Sequence, residues 1–180
     1  TVDAAGGASS RISLGVSDDS PMWSPDGSRI LYSGRIGGGY QICTIDPDGS
    51  NLVTLTDHEG NESYPVWSPD GSRIAYTAFL DGGSDIFLMD ANGDNVERVT
   101  KHPGGEWDLA WSPDGTQIAF STERDGNSEI YAIKLDSGEL RNITRDPALD
   151  MQPAWARPGA FRPVPTLRSF LTGWAALRAR

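Results

Sequence analysis

One pentapeptide, Trp-Ser-Pro-Asp-Gly, stands at Trp23–Gly27, at Trp67–Gly71 and at Trp111–Gly115. A fourth tryptophan, Trp155, follows at the same interval of 44 residues. Self-similarity at a fixed spacing of roughly 20–50 residues is the mark of a repeat architecture. Each copy is then one supersecondary unit that needs its neighbours to bury its apolar faces.

The pentapeptide is a turn with a mechanism. Proline presets φ at the first central position, aspartate tolerates the second, and glycine takes the left-handed position that closes a hairpin. Trp23, Trp67, Trp111 and Trp155, with Asp26, Asp70, Asp114, Gly27, Gly71 and Gly115, are therefore the structural residues of the repeat. Short apolar runs flank the turn. Pro21-Met22-Trp23, Pro65-Val66-Trp67 and Leu109-Ala110-Trp111 precede it, and Arg29–Tyr32, Arg73–Tyr76 and Gln117–Phe120 follow it. A Gly-rich loop leads to a third strand at Gln41–Ile45, Asp85–Met89 and Glu129–Ile133. A second tight turn leads to a fourth strand at Leu52–Thr56, Val96–Thr100 and Leu140–Thr144.

The second and third strands carry apolar residues at consecutive positions, as in Ile86-Phe87-Leu88-Met89, which predicts burial on both faces. The fourth mixes in Glu97, Arg98, Arg141 and Asn142, which suits an outer edge blunted by charge. Four antiparallel strands per unit with a polar outer strand describe a β-propeller blade. The expected fold class is all-β: a propeller of four-stranded antiparallel blades, incomplete, with three full blades and partial strands of the flanking ones. Repeats reading Pro-x-Trp-Ser-Pro-Asp-Gly, continuing to an Ile-Ala-(Tyr/Phe) strand and ending on Val-Thr or Ile-Thr, resemble the TolB-type, WD-like propeller repeat over residues 12–155. The resemblance implies an extracytoplasmic, periplasmic home and a role in protein binding.

Three segments follow from this frame. Residues 1–17 read as a polar tail plus the outer strand of a preceding blade at Arg11–Leu14, which matches Arg98-Val99-Thr100. Residues 18–155 hold three blades and the first strand of a fourth. Residues 156–180 break the pattern: Ala156–Gly159 replaces the pentapeptide, and Pro163 and Pro165 stand where a central strand should run. That tail carries five Arg and no acid, leaving 10 basic against 25 acidic residues before it. Leu167, Phe170, Leu171 and Trp174 have helical spacing, so the tail reads either as a short amphipathic helix for a partner or an anionic surface, or as sequence foreign to the propeller. Thr1 is not an initiator Met, and a longer parent chain is expected. An open arc also leaves its terminal faces uncovered, which predicts self-association or missing blades.

Composition narrows the function. The formal net charge of −10 argues against nucleic acid, which requires a basic face. No stretch is apolar enough for membrane insertion. The single Cys43 excludes an internal disulfide and reads as a buried strand residue.

Stacking the copies exposes one acidic column. Asp18, Glu62, Glu106 and Asp150 each stand five residues before a tryptophan, a position expected just ahead of the innermost strand, at one mouth of the channel. Two roles fit. Converging carboxylates would hold a cation, with Ca²⁺ the occupant whose oxygen ligands they could supply, or a basic peptide. Alternatively, each acid hydrogen-bonds the loop of a neighbouring blade. A second column, Gln41, Asp85 and Glu129, suits turn stabilisation. His58 and His102 are equivalent, with Asp146 in the third copy, and lie too far apart for a metal. The turns at Asp46–Asn51 and Asp90–Asn95 have Gly in the fourth place, not the sixth of a calcium loop. No nucleophile motif and no cofactor motif is present.

The expected function is a non-enzymatic platform for protein or peptide binding. The rival is the propeller gate of a dipeptidyl-peptidase-like or prolyl-oligopeptidase-like serine hydrolase, whose catalytic segment would carry Gly-x-Ser-x-Gly. A cation-binding lyase-type propeller is the third reading.

Overall fold

The computed structural model describes residues 12, 17–57, 60–145 and 147–156, and the backbone of 176–177. Three four-stranded antiparallel sheets follow one another: β1 (Asp18–Trp23), β2 (Ile30–Ile36), β3 (Gly39–Ile45) and β4 (Val53–Thr54); β5 (Glu62–Trp67), β6 (Arg73–Leu80), β7 (Gly83–Asp90) and β8 (Glu97–Arg98); β9 (Glu106–Trp111), β10 (Gln117–Thr122), β11 (Glu129–Lys134) and β12 (Leu140–Asn142). In each sheet spatial order equals chain order. The strands β1, β5, β9 and β13 (Ala154–Trp155) touch in succession, so the sheets fan out from their first strands as propeller blades. A two-residue parallel bridge joins β13 to β14 (Ala176–Leu177). The expected strand at Arg11–Leu14 is described only at Ile12. The proline-broken strand and the helix over 167–174 fall outside the described residues.

The pentapeptide turn is built identically three times. The Ser24 hydroxyl donates to Asp26 Oδ1 at 2.6 Å and accepts the Arg29 N–H at 2.9 Å, while Asp26 also accepts the Ser28 N–H at 3.0 Å. Ser68, Asp70, Ser72 and Arg73 repeat the set, as do Ser112, Asp114, Thr116 and Gln117. Gly27, Gly71 and Gly115 have φ of +72°, +73° and +70°, the left-handed conformation that costs any other residue about 1–2 kcal/mol. The serine hydroxyls and backbone N–H groups stabilise the ionised carboxylates and pull Asp26 and Asp70 down to about 2.

Strand alternation gives each blade two unlike faces. Blade 2 turns Trp67, Ile74, Tyr76, Phe87 and Met89 toward Leu31 and Ile42 of blade 1. Its other face, Ala75, Ile86 and Leu88, meets Leu109, Ile118, Phe120, Tyr131 and Ile133 of blade 3. Tryptophan ties the blades at their inner strands: the Trp111 indole donates to the Val66 carbonyl at 3.2 Å, and Trp155 to that of Ala110 at 3.0 Å. Trp23, on the first inner strand, is 51% exposed.

Three expectations are corrected. The inner strands begin earlier than the apolar runs suggest, because a bulge lets the ladder resume upstream and makes Asp18, Glu62 and Glu106 strand residues. The outer strands are shorter, because threonine side chains take over from backbone: Thr56, Thr100 and Thr144 accept the N–H groups of Ile42, Ile86 and Ile130. The terminal blade faces are not bare at their centres. Ile30, Tyr32, Cys43 and Ile45 are buried with Ile12 packed against them, and Ala119 and Ile130 are buried with Trp155 packed against them.

Replacing Trp111 with Phe keeps a ring in the seam and removes the indole donor. Urea unfolding should show a loss of about 1 kcal/mol. Trp23→Phe should cost less than about 0.5 kcal/mol, as for a surface change. Equal losses would assign the tryptophan contribution to its ring alone.

Candidate functional site

The acidic column sits inside the seams between blades. Glu62 and Glu106 are both fully buried. Thr56, at the end of blade 1, donates its hydroxyl to Glu62 Oε2 at 3.1 Å. Thr100, at the end of blade 2, donates to Glu106 Oε2 at 2.5 Å. The same hydroxyls accept Ile42 N–H at 2.9 Å and Ile86 N–H at 2.8 Å, so each carboxylate closes a relay from the third strand of one blade to the first strand of the next. Glu106 also pairs with Arg124 at 2.6 Å, and that guanidinium lies 4.7 Å from the Tyr131 ring centre and 5.5 Å from that of Phe120. Burial nonetheless outweighs the hydrogen bonds and the Arg124 charge, and the Glu106 carboxyl is pushed up to about 7.

The column's outer members sit differently. Asp18 lies over Gly34, where an added Cβ would come within 3.4 Å of its Oδ1. Asp150 is held through its backbone, its N–H donating to Ser128 O at 2.8 Å and its carbonyl accepting the Ser128 hydroxyl at 3.0 Å. Among the described residues no three His, Cys, Asp or Glu side chains form a group that could hold a metal. In the second column Asp85 pairs with Arg98 and accepts the His102 N–H, while Glu129 accepts the Thr144 hydroxyl at 2.6 Å. His102 Nδ1 accepts the Gly104 N–H at 3.0 Å; His58 and Asp146 fall outside the described residues. The Asp46 and Asp90 carboxylates are engaged by Asn51 and Asn95 within their own hairpin turns.

A different position gathers side chains at the inner strands. Each bulge places one non-glycine residue in the left-handed region: Ser20 (φ +52°), Tyr64 (+53°) and Asp108 (+53°), followed by Gln152 (+58°) at the same interval. All four line one cleft of about 300 Å³, whose remaining wall includes Met22, Val66 and Leu109. The buried Ser121 hydroxyl ties two of these residues together, donating to Asp108 Oδ2 at 3.5 Å and accepting the Gln152 N–H at 3.1 Å. Burial pushes the Asp108 carboxyl up, and burial together with the Asp108 and Asp19 charges pushes up the Tyr64 phenol. The cleft thus presents a phenol, a carboxylate, an amide and a hydroxyl beside exposed Met22, a mixture suited to a peptide's alternating polar and apolar groups.

The sequence reading passes over this position because its four residues share no chemistry. Its signal is that contrast: Ser, Tyr, Asp and Gln stand three places before a tryptophan that never changes. A repeat position released from packing is free to vary.

Known proteins agree with this architecture. The profile of the TolB beta propeller domain matches residues 37–161. No curated protein sequence matches the chain. Among solved structures, TolB from Acinetobacter baumannii superposes with a TM-score of 0.70 at 25% identity, over 79% of this chain and 36% of that one. A putative TolB from Agrobacterium tumefaciens gives 0.67 at 25% identity, over 73% and 50%. Puromycin hydrolase gives 0.61 at 17% identity, over 73% and 22%, a likeness of fold. The chain therefore spans half or less of the length of these structures. A profile match over most of the chain, on blades that carry the repeat's own turn and seam, places this chain in the TolB β-propeller family.

Proposed function

We propose that the chain forms part of a non-enzymatic, extracytoplasmic propeller platform whose inner-strand cleft docks a protein or peptide partner. The observation that carries this reading is the set of four left-handed, non-glycine residues converging on one cleft. Such backbone costs energy at every copy, and strain that recurs at a fixed place is a pointer to function. The rival, a gate for a missing serine hydrolase, rests on likeness of fold to puromycin hydrolase; a downstream Gly-x-Ser-x-Gly segment in the parent reading frame would favour it. The test is selection of peptides from a random library on the immobilised protein. Selected peptides should bind the Tyr64→Ala/Asp108→Ala variant at least tenfold more weakly, about 1.4 kcal/mol. Peptides that bind both proteins equally would overturn the assignment.

The acidic column is proposed as a latch between blades. Changing Glu62 and Glu106 together to Gln should lower the melting temperature by several degrees, with no effect of Ca²⁺ on either protein. Unchanged melting with loss of peptide or Ca²⁺ binding would assign the column to a ligand instead.

Glu106 also sets a pH dependence. Its folded value of about 7 exceeds the ordinary 4.5, so between them the folded chain binds more protons than the unfolded one. Its contribution is fully present below 4.5 and is lost as pH rises through about 7. Asp26 and Asp70, held low, contribute throughout this range and lose that contribution only as pH falls from 3.8 toward about 2. The urea midpoint should therefore fall between pH 5 and pH 7.5, and Glu106→Gln should flatten the fall. An unchanged slope in the variant would place the titration elsewhere.

A further inference from the structure

The inner-strand cleft is short of hydrogen-bond donors. Three of its four segments place a proline directly after the left-handed residue: Pro21 after Ser20, Pro65 after Tyr64 and Pro153 after Gln152. Proline has no N–H, so the backbone at these places can accept but not donate. The side chains add a carboxylate, which only accepts, and hydroxyl and amide groups, which can do either. No Lys, Arg or His lines the cleft.

The remaining segment carries the charge. Asp108 stands where the other three have neutral side chains. Its carboxylate is approached by the Ser121 hydroxyl at 3.5 Å, beyond the usual range of a hydrogen bond, and by the Gln152 N–H. None of the ion pairs among the described residues includes it. Asp19, at the start of the bulge on β1, adds to the negative field: its charge and that of Asp108 both bear on the Tyr64 phenol.

A partner that covers this cleft takes water away from Asp108, which is already half-buried. A neutral partner would leave the charge covered and unpaired, an unfavourable arrangement. A cation turns the same burial into attraction.

Resting on the reading of this cleft as a peptide dock, we propose that it receives a lysine side chain of the partner, with the ammonium on Asp108. The four-carbon stem lies along Met22, Val66 and Leu109, as long cationic side chains lie along apolar surface. The ammonium is a compact charge with three donors, and Asp108, Tyr64 and Gln152 supply oxygens from three different segments. A guanidinium fixes its donors in one plane and suits a single carboxylate with both oxygens open.

The test titrates the whole ¹⁵N-labelled chain with acetyl-Val-Lys-Val-amide, with its arginine counterpart, and with a norleucine peptide that keeps the four-carbon stem and lacks the ammonium. The lysine peptide should shift the amide signals of Tyr64, Asp108, Leu109 and Gln152, with a Kd roughly fivefold or more below that of the norleucine peptide. Raising NaCl from about 20 to about 300 mM should shrink that advantage. Asp108→Asn keeps the shape and a residue type that tolerates left-handed backbone, and should bring the lysine peptide to the norleucine affinity. Should that variant misfold, the salt dependence of the unmodified chain decides. Equal affinity of the lysine and norleucine peptides at these amides would overturn the proposal and leave the peptide dock standing. So would tighter binding of the arginine peptide, an advantage for lysine that salt does not change, or one that survives in folded Asp108→Asn. No shift at these amides with any of the three would overturn the dock and the proposal together.

Discussion

A four-stranded blade has two apolar faces and no helix to cover either. Everything else in this structure follows from that shortage. Ile86 and Leu88 are removed from water only because Ile118 and Phe120 of the next blade lie over them. The hydrophobic term is non-directional and would accept many packings. Register is imposed by hydrogen bonds that cross the seams: tryptophan indole to carbonyl at the inner strand, and threonine hydroxyl to buried carboxylate beside it. Apolar area holds the blades together, and these few polar links determine how they sit.

The fold was legible because its turns are chemical. Proline, aspartate and glycine at fixed places leave one backbone geometry, and Asp26, Asp70 and Asp114 all receive the same serine or threonine donors. The site was less legible. Periodicity revealed that Glu62 and Glu106 are equivalent, but the depth of a strand's first residue depends on a bulge that no local propensity announces. Spacing likewise could not show that Thr56 and Thr100 would turn inward and meet those acids. The inner-strand cleft was hidden for the opposite reason: Ser20, Tyr64, Asp108 and Gln152 look unrelated until the backbone shows that all four share one conformation.

Constancy and variation across the copies thus carry different information. Where three repeats agree, as at the pentapeptide, packing and turn geometry leave no freedom. Where they differ against a constant background, the side chain has been released from both. Leu80 against Arg124 is the sharper form of this contrast, since an aromatic pair and a buried glutamate stand at the equivalent places in both blades.

The unlike faces of each blade have a directional consequence. Aromatic Tyr76 and Phe87 look back along the chain, while Ala75, Ile86 and Leu88 look forward. A joint between two backward-looking faces would set ring against ring, and one between two forward-looking faces would leave voids. Blades of this kind can only be added head to tail. Whether the next blade comes from the same chain or from another copy, the joint is heterologous, and joints of that kind lead to ring closure or to continued growth.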